Sequence, residues 1–163
     1  MPKMTVNPTA LVIGVGCGWC PLILRAADAV HRSVNVDDLV DILPGILRRE
    51  SVALAARRVD PETFLGNRYA LVGLSAKFGR MVGYLFEAEM FFEPVSAATF
   101  STPEAFDLLA MDAQSLDDVT GVAVQQIATL GLATGGSVIG ATLTHDGITT
   151  RTLLKLPKLE IAA

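Results

Sequence analysis

The stretch Ala10–Val15, ALVIGV, constrains the fold more than any other part of the chain. It is short, β-branched at Val12, Ile13 and Val15, and apolar throughout. A strand with no polar face needs cover on both sides, the environment of a central strand in a parallel sheet. It runs directly into Gly16-Cys17-Gly18-Trp19-Cys20 and then Pro21. Proline suits the first turn of a helix, where its missing N–H leaves no bond unmade. The unit is strand, tight turn, helix.

The same alternation continues downstream. PLILRAADAVHR carries Leu22, Ala26, Ala29 and Val30 at helical spacing. NVDDLVDILPG reads as a second helix, with Asn35 as its cap, Asp37 and Asp38 at its positive end and Pro44-Gly45 as its stop. ILRRESVALAARRV reads as a third, closed by Asp60-Pro61. RYALVGLSAK, residues 68–77, is the second strong strand. RMVGYLFEAE, residues 80–89, reads as a helix weakened by Gly83, and MFFEPVSA as a short strand that ends at Pro94. Ser101–Pro103 signals a helix start before EAFDLLAM, and GVAVQQIATLGLATGG reads as an Ala-rich helix closed by Gly135-Gly136. Two alternating strands, SVIGATLT and ITTRTLLKL, flank His145-Asp146-Gly147, a hairpin signal.

This order predicts a single α/β domain over residues 1–163. The expected architecture is three-layer, with a mostly parallel sheet and an antiparallel hairpin at the C-terminal end. In such folds the working surface lies outside the C-terminal ends of the strands. That would gather Gly14–Cys20, Ser75–Gly79 and the loop after Phe92.

Composition narrows the class. Apolar residues make up 51% of the 163 and charged residues 18%, which points to a large core or to a surface hidden in an oligomer such as a homodimer. No run approaches the roughly 18 apolar residues of a membrane span. A net charge of −4 without clustered Lys and Arg excludes a nucleic-acid footprint. Arg48-Arg49 and Arg57-Arg58 fall in a helical stretch and read as a solvated face. MPKMTVNPTA lacks the layout of a signal peptide, so a cytoplasmic protein with reduced cysteines is expected.

The glycine-rich turn admits several chemistries. Cys17 and Cys20 form a CxxC at a helix start, where the helix end would lower a thiol pKa. A thioredoxin-like disulfide oxidoreductase is therefore one reading, although Trp19 lies between the two cysteines rather than before the first. Zinc needs about four ligands, and Cys17, Cys20, His31 and His145 match no standard spacing, so no metal is expected. GVGCG begins a dinucleotide fingerprint, but Trp19 replaces its third glycine, so no cofactor is expected either.

What remains is an anion site, set against the plainer reading of a tight turn. Glycines let backbone N–H groups approach a carboxylate or phosphate, and the helix start adds its positive end. The candidate ligand-binding residues are Gly14, Val15, Gly16, Cys17, Gly18 and Trp19, with Lys77 after the second strand to pair with an acidic group. There is no G-x-S-x-G, and Asp37-Asp38 and Asp117-Asp118 stand where helix caps belong. No catalytic residue is assigned.

Five segments occur in a collinear order: LVIGVGC, GLSAKFG, FFEPVSAATFSTP, TGVAVQQIATLGLATGG and GATLTHDGITTRTL. In this the chain resembles the CobE/CbiG-type cobalamin-biosynthesis proteins, in the small form equivalent to the C-terminal domain of the longer one. It departs from them where basic residues follow G-x-G-C, since Gly18-Trp19-Cys20 stand there, and in a longer segment over 34–67. The resemblance implies a role in making the corrin ring. The expected ligand is an acidic tetrapyrrole intermediate, bound by a carrier or chaperone. Hydrolytic opening of a precorrin lactone is the activity linked to the two-domain relatives. The ligand's carboxylates would meet the Gly14–Gly18 backbone and Lys77.

Overall fold

The computed structural model describes residues 4–57, 64–97, 120–121, 124 and 136–156. The chain divides into two units, Met1–Phe100 with His145–Gly147 and Ser101–Thr144 with Ile148–Ala163. In the first, β1 (Met4–Asn7) and β2 (Val12–Cys17) precede α1 (Cys20–Arg32) and α2 (Val36–Ala55). Then come β3 (Arg68–Ser75), β4 (Arg80–Glu87), a 3-10 turn (Ala88–Met90) and β5 (Val95–Ser96). The sheet order is β1-β2-β3-β4-β5, and every neighbouring pair is antiparallel.

The expected mostly parallel, three-layer sheet is therefore wrong, and the reason lies between β2 and β3. A single crossover helix returns the chain to the end where a strand began, so the next strand runs parallel. Two antiparallel helices bring it back to the end where the strand finished. Cys17 accordingly pairs with Arg68, and Val12 with Gly73. Pro44 was expected to stop a helix and leave three in this connection. Instead α2 runs through it. Proline within a helix costs about 3 kcal/mol through its missing N–H and its clash with the preceding turn. That cost is outweighed by an uninterrupted stripe in which Val36, Leu39, Leu43, Leu47 and Leu54 are all buried.

The helices lie on one face of the sheet. Their buried residues, among them Leu22, Ala26, Val30, Leu39, Leu43 and Leu47, join Val12, Tyr69, Leu71 and Phe86 in one core. The register puts Gly14 and Gly16 on that same face, opposite Leu71 and Tyr69. The other face carries Ile13 and Ala70, which are buried, and Val15, Val72, Leu74, Met81 and Leu85, which are half-buried. Both faces being apolar explains why ALVIGV looked like a parallel-sheet strand.

Residues 80–89 are not the expected helix. Arg80–Glu87 pairs along its whole length with β3 as a hairpin. Val82, Tyr84 and Phe86 alternate toward the core, a period of two that apolar neighbours on the other face conceal. The strand expected to end at Pro94 is also misplaced, because Val95–Ser96 follows that proline. Three expectations hold well. Strands form at β2 and β3, and Asn35 caps α2 by accepting the Asp38 N–H at 2.7 Å.

β6 (Gly136–Thr144) and β7 (Gly147–Leu156) form the expected two-stranded hairpin. The helix expected after Ser101–Pro103 lies outside the described residues. Of the Ala-rich segment, Gly121 and Val124 are described and are helical, and Gly136, expected to close the helix, opens β6 instead. Among the described residues no helix is long and apolar enough to cross a membrane.

Candidate functional site

Gly14 and Gly16 sit in a strand, not a loop. Gly14 and Val15 pair with β1 on one side and β3 on the other, so they present no free row of N–H groups to an anion. Their neighbour across the sheet explains the glycines. A Cβ on Gly14 would run into the Tyr69 hydroxyl and stand 2.8 Å from Tyr69 Cζ. A Cβ on Gly16 would stand 2.9 Å from both Ile23 and Tyr69. The Tyr69 ring fills the volume that two side chains would occupy, and it is 1% exposed. Burial pushes the pKa of its hydroxyl well up, and Thr5 beside it offsets part of that without reaching hydrogen-bond geometry.

The turn that follows is held by Asn67, which is fully buried. Its Oδ1 accepts the Trp19 N–H at 2.6 Å, and its Nδ2 donates to the Phe64 carbonyl at 2.7 Å. Gly18 adopts φ +111, and a Cβ there would sit 2.5 Å from Asn67 Oδ1. Trp19 packs half-buried against the core. Cys17 is half-buried at the end of β2, Cys20 is exposed at the start of α1, and no disulfide joins them.

Lys77 lies at the far end of the sheet. Antiparallel pairing puts the end of β3 beside the start of β2, so Lys77 and Trp19 are separated by the six residues of β2, roughly 20 Å at 3.4 Å per residue. The structure thus keeps Gly14–Trp19 together and takes Lys77 away from them. At that far end Asp37 organises the β3–β4 turn. Its Oδ1 accepts from Ser75 Oγ at 2.6 Å and its Oδ2 from the Lys77 N–H at 3.1 Å. The Ser75 hydrogen bond holds the Asp37 carboxyl below its ordinary pKa. Partial burial opposes this, and the Lys77 and Ala76 N–H groups and the Lys77 charge add to it.

Another assembly of charged groups lies elsewhere, in a groove of about 470 Å³ between α1 and α2. Arg25, Arg32 and Arg49 stand around an apolar strip of Ala29, Ile42 and Ile46. Arg25 Nε pairs with Glu50 at 3.2 Å across the helices, and Arg32 Nε with Asp28 at 3.0 Å along α1. The Arg49 side chain has no ion pair or hydrogen bond among the described residues. Sequence reasoning assigned Arg49 to a solvated face and missed the groove. Helical spacing does place Arg25 and Arg32 on one side of α1, but their position opposite Arg49 depends on how the helices pair.

No protein-family model matches the chain, and no curated protein is similar to it at a significant level.

Proposed function

We propose that the protein binds a carboxylate-rich small molecule with a broad apolar face, of the kind an acidic tetrapyrrole intermediate in corrin-ring synthesis represents, and acts as its carrier. The carrying observation is the arginine groove: three guanidinium groups around Ala29, Ile42 and Ile46, one of them without a partner among the described residues. Guanidinium is planar and pairs with carboxylate in a two-bond fork. Arg25 and Arg32 are well exposed in their ion pairs, and such pairs contribute only about 0–1 kcal/mol. They can exchange an internal carboxylate for a ligand's at little loss.

Titration of the protein with hydrogenobyrinate, followed by corrin absorbance, tests this reading. Saturation in the tens-of-micromolar range is expected. Arg49→Ala should weaken binding about tenfold, the loss of one charge-assisted hydrogen bond. A corrinoid with every carboxylate amidated should bind equally poorly to both proteins. No absorbance change with the acid form would sink the proposal.

A further inference from the structure

We propose that Asp28 and Glu50 are the specificity determinants of the arginine groove: each holds an arginine in place of a ligand carboxylate, so that the site admits a polycarboxylate and turns away a monocarboxylate. This rests on the reading of the groove as a carboxylate site and goes beyond it by assigning its selection rule.

One face of each helix builds the groove, with Arg25, Asp28 and Arg32 on α1 and Ile42, Arg49 and Glu50 on α2. Three cations and two anions therefore line it. Arg25 Nε stands 3.2 Å from one oxygen of Glu50, across the helices, and Arg32 Nε stands 3.0 Å from one oxygen of Asp28. Neither guanidinium has another ion pair or hydrogen bond among the described residues. Each pair is thus a single contact through Nε, where arginine and carboxylate at their best make two parallel bonds. A ligand carboxylate that meets either guanidinium as a fork replaces one bond by two. The Arg49 side chain, without a partner among the described residues, is the point of entry.

Carboxylate number then decides the outcome. Asp28 and Glu50 are tied to the same two helices as their arginines. A free monocarboxylate competes with them as a separate molecule against a tethered group, and it is left with Arg49 alone. A ligand already anchored on Arg49 presents its further carboxylates as tethered groups too. The exchange at Arg25 and Arg32 then becomes intramolecular on both sides. The apolar body of such a ligand covers the exposed Ile42. Of the two internal carboxylates, Glu50 is the more sheltered, at 26% exposure against 49% for Asp28, so its exchange weighs more.

Trimesate, isophthalate and benzoate are the probes, one planar ring with three, two and one carboxylates. Each is titrated into the full-length 15N-labelled protein, and the backbone amide and arginine Nε–H signals are followed. Affinity should fall from trimesate to benzoate. Trimesate should move the Nε–H signals of Arg25, Arg32 and Arg49 saturably, and benzoate that of Arg49 alone. Glu50→Gln should tighten trimesate about fivefold and Asp28→Asn about twofold, with benzoate unchanged on both. The Arg25 signal of the unmutated protein reads the exchange without any substitution. If saturating trimesate leaves that signal in place, or if Glu50→Gln binds trimesate no tighter than the parent, the proposal is overturned. An equal gain for benzoate would also overturn it, as the mark of a repulsion acting at a distance. Hydrogenobyrinate failing to bind while the trimesate series behaves as expected would sink the corrinoid reading and leave the exchange standing. Hydrogenobyrinate binding without any gain in the Glu50→Gln series would do the opposite.

Discussion

The glycine-bearing strand and the arginine groove invite opposite readings from sequence and turn out to be opposite in structure. Gly14 and Gly16 look like a cradle for a ligand, yet Tyr69 occupies the space above them and the sheet takes up the Gly14 backbone. Arg25, Arg32 and Arg49 look like ordinary helix surface, yet together they frame an open groove. The lesson is about what empties a space. A missing side chain makes a site only when nothing else moves in, and here a tyrosine 55 positions beyond Gly14 does so.

The largest expected effect tests the closed half of that comparison. Gly14→Ala drives a methyl group into the Tyr69 ring and should cost about 3 kcal/mol in chemical denaturation. Combining it with Tyr69→Leu should give a smaller loss than the two changes added separately. A Gly14→Ala protein as stable as the parent would show that the space is not filled, and would reopen the strand as a site.

Asn67→Ala comes next. It leaves the Trp19 N–H without its acceptor and removes the side-chain bond to the Phe64 carbonyl, which keeps only the backbone N–H of residue 67, for a loss of about 2 kcal/mol. Because Trp19 is the only tryptophan, its emission should move to the red as the turn loosens. An unchanged spectrum together with unchanged stability would mean that Asn67 does not hold this end.

Asp37→Ala should cost about 1 kcal/mol at pH 7. The Asp37 pKa is lowered in the folded chain, so its contribution is complete above the ordinary carboxylate value of about 3.9. It fades as pH falls through the folded value. The stability gap between parent and variant should therefore be full at pH 6 and narrow steadily once the pH falls below that ordinary value, as followed by urea denaturation. A gap that widens on acidification would reverse the sign and refute the assignment.

The smallest stability effects sharpen the open half. Arg49→Ala and Lys77→Ala should each stay within about 0.5 kcal/mol of the parent, as exposed positions usually do. Only Arg49→Ala should weaken corrinoid binding. Equal weakening by Lys77→Ala would return the ligand to Lys77, one of the binding residues expected from the sequence.

Several elements were legible because their signals are local. The Asn35 cap, the α1 pattern after Pro21 and the Asp-Gly hairpin each rest on residues within a few positions of one another. The β4 strand was not legible, because apolar side chains on both faces erase the alternation that marks a strand. The candidate site was less legible still. Gly18 and Trp19 do stand together at a turn, but Asn67, which fixes them, is 48 residues away and has no local signature. The groove depends on α1 meeting α2.

By itself the sequence determined which segments are stiff and apolar enough to form the core, and where several of them begin and end. Strand direction was decided by tertiary structure, through one residue. Read locally, Pro44 ends a helix and leaves three between β2 and β3, an odd number that returns the chain for a parallel strand. Packed against the sheet, the leucine stripe carries α2 through Pro44 and leaves two, so β3 runs the other way. Local propensity weighs a proline at about 3 kcal/mol. Burying the leucines on both sides of it, at about 1.5–3 kcal/mol each, weighs more, and that burial exists only once the sheet is there to receive them.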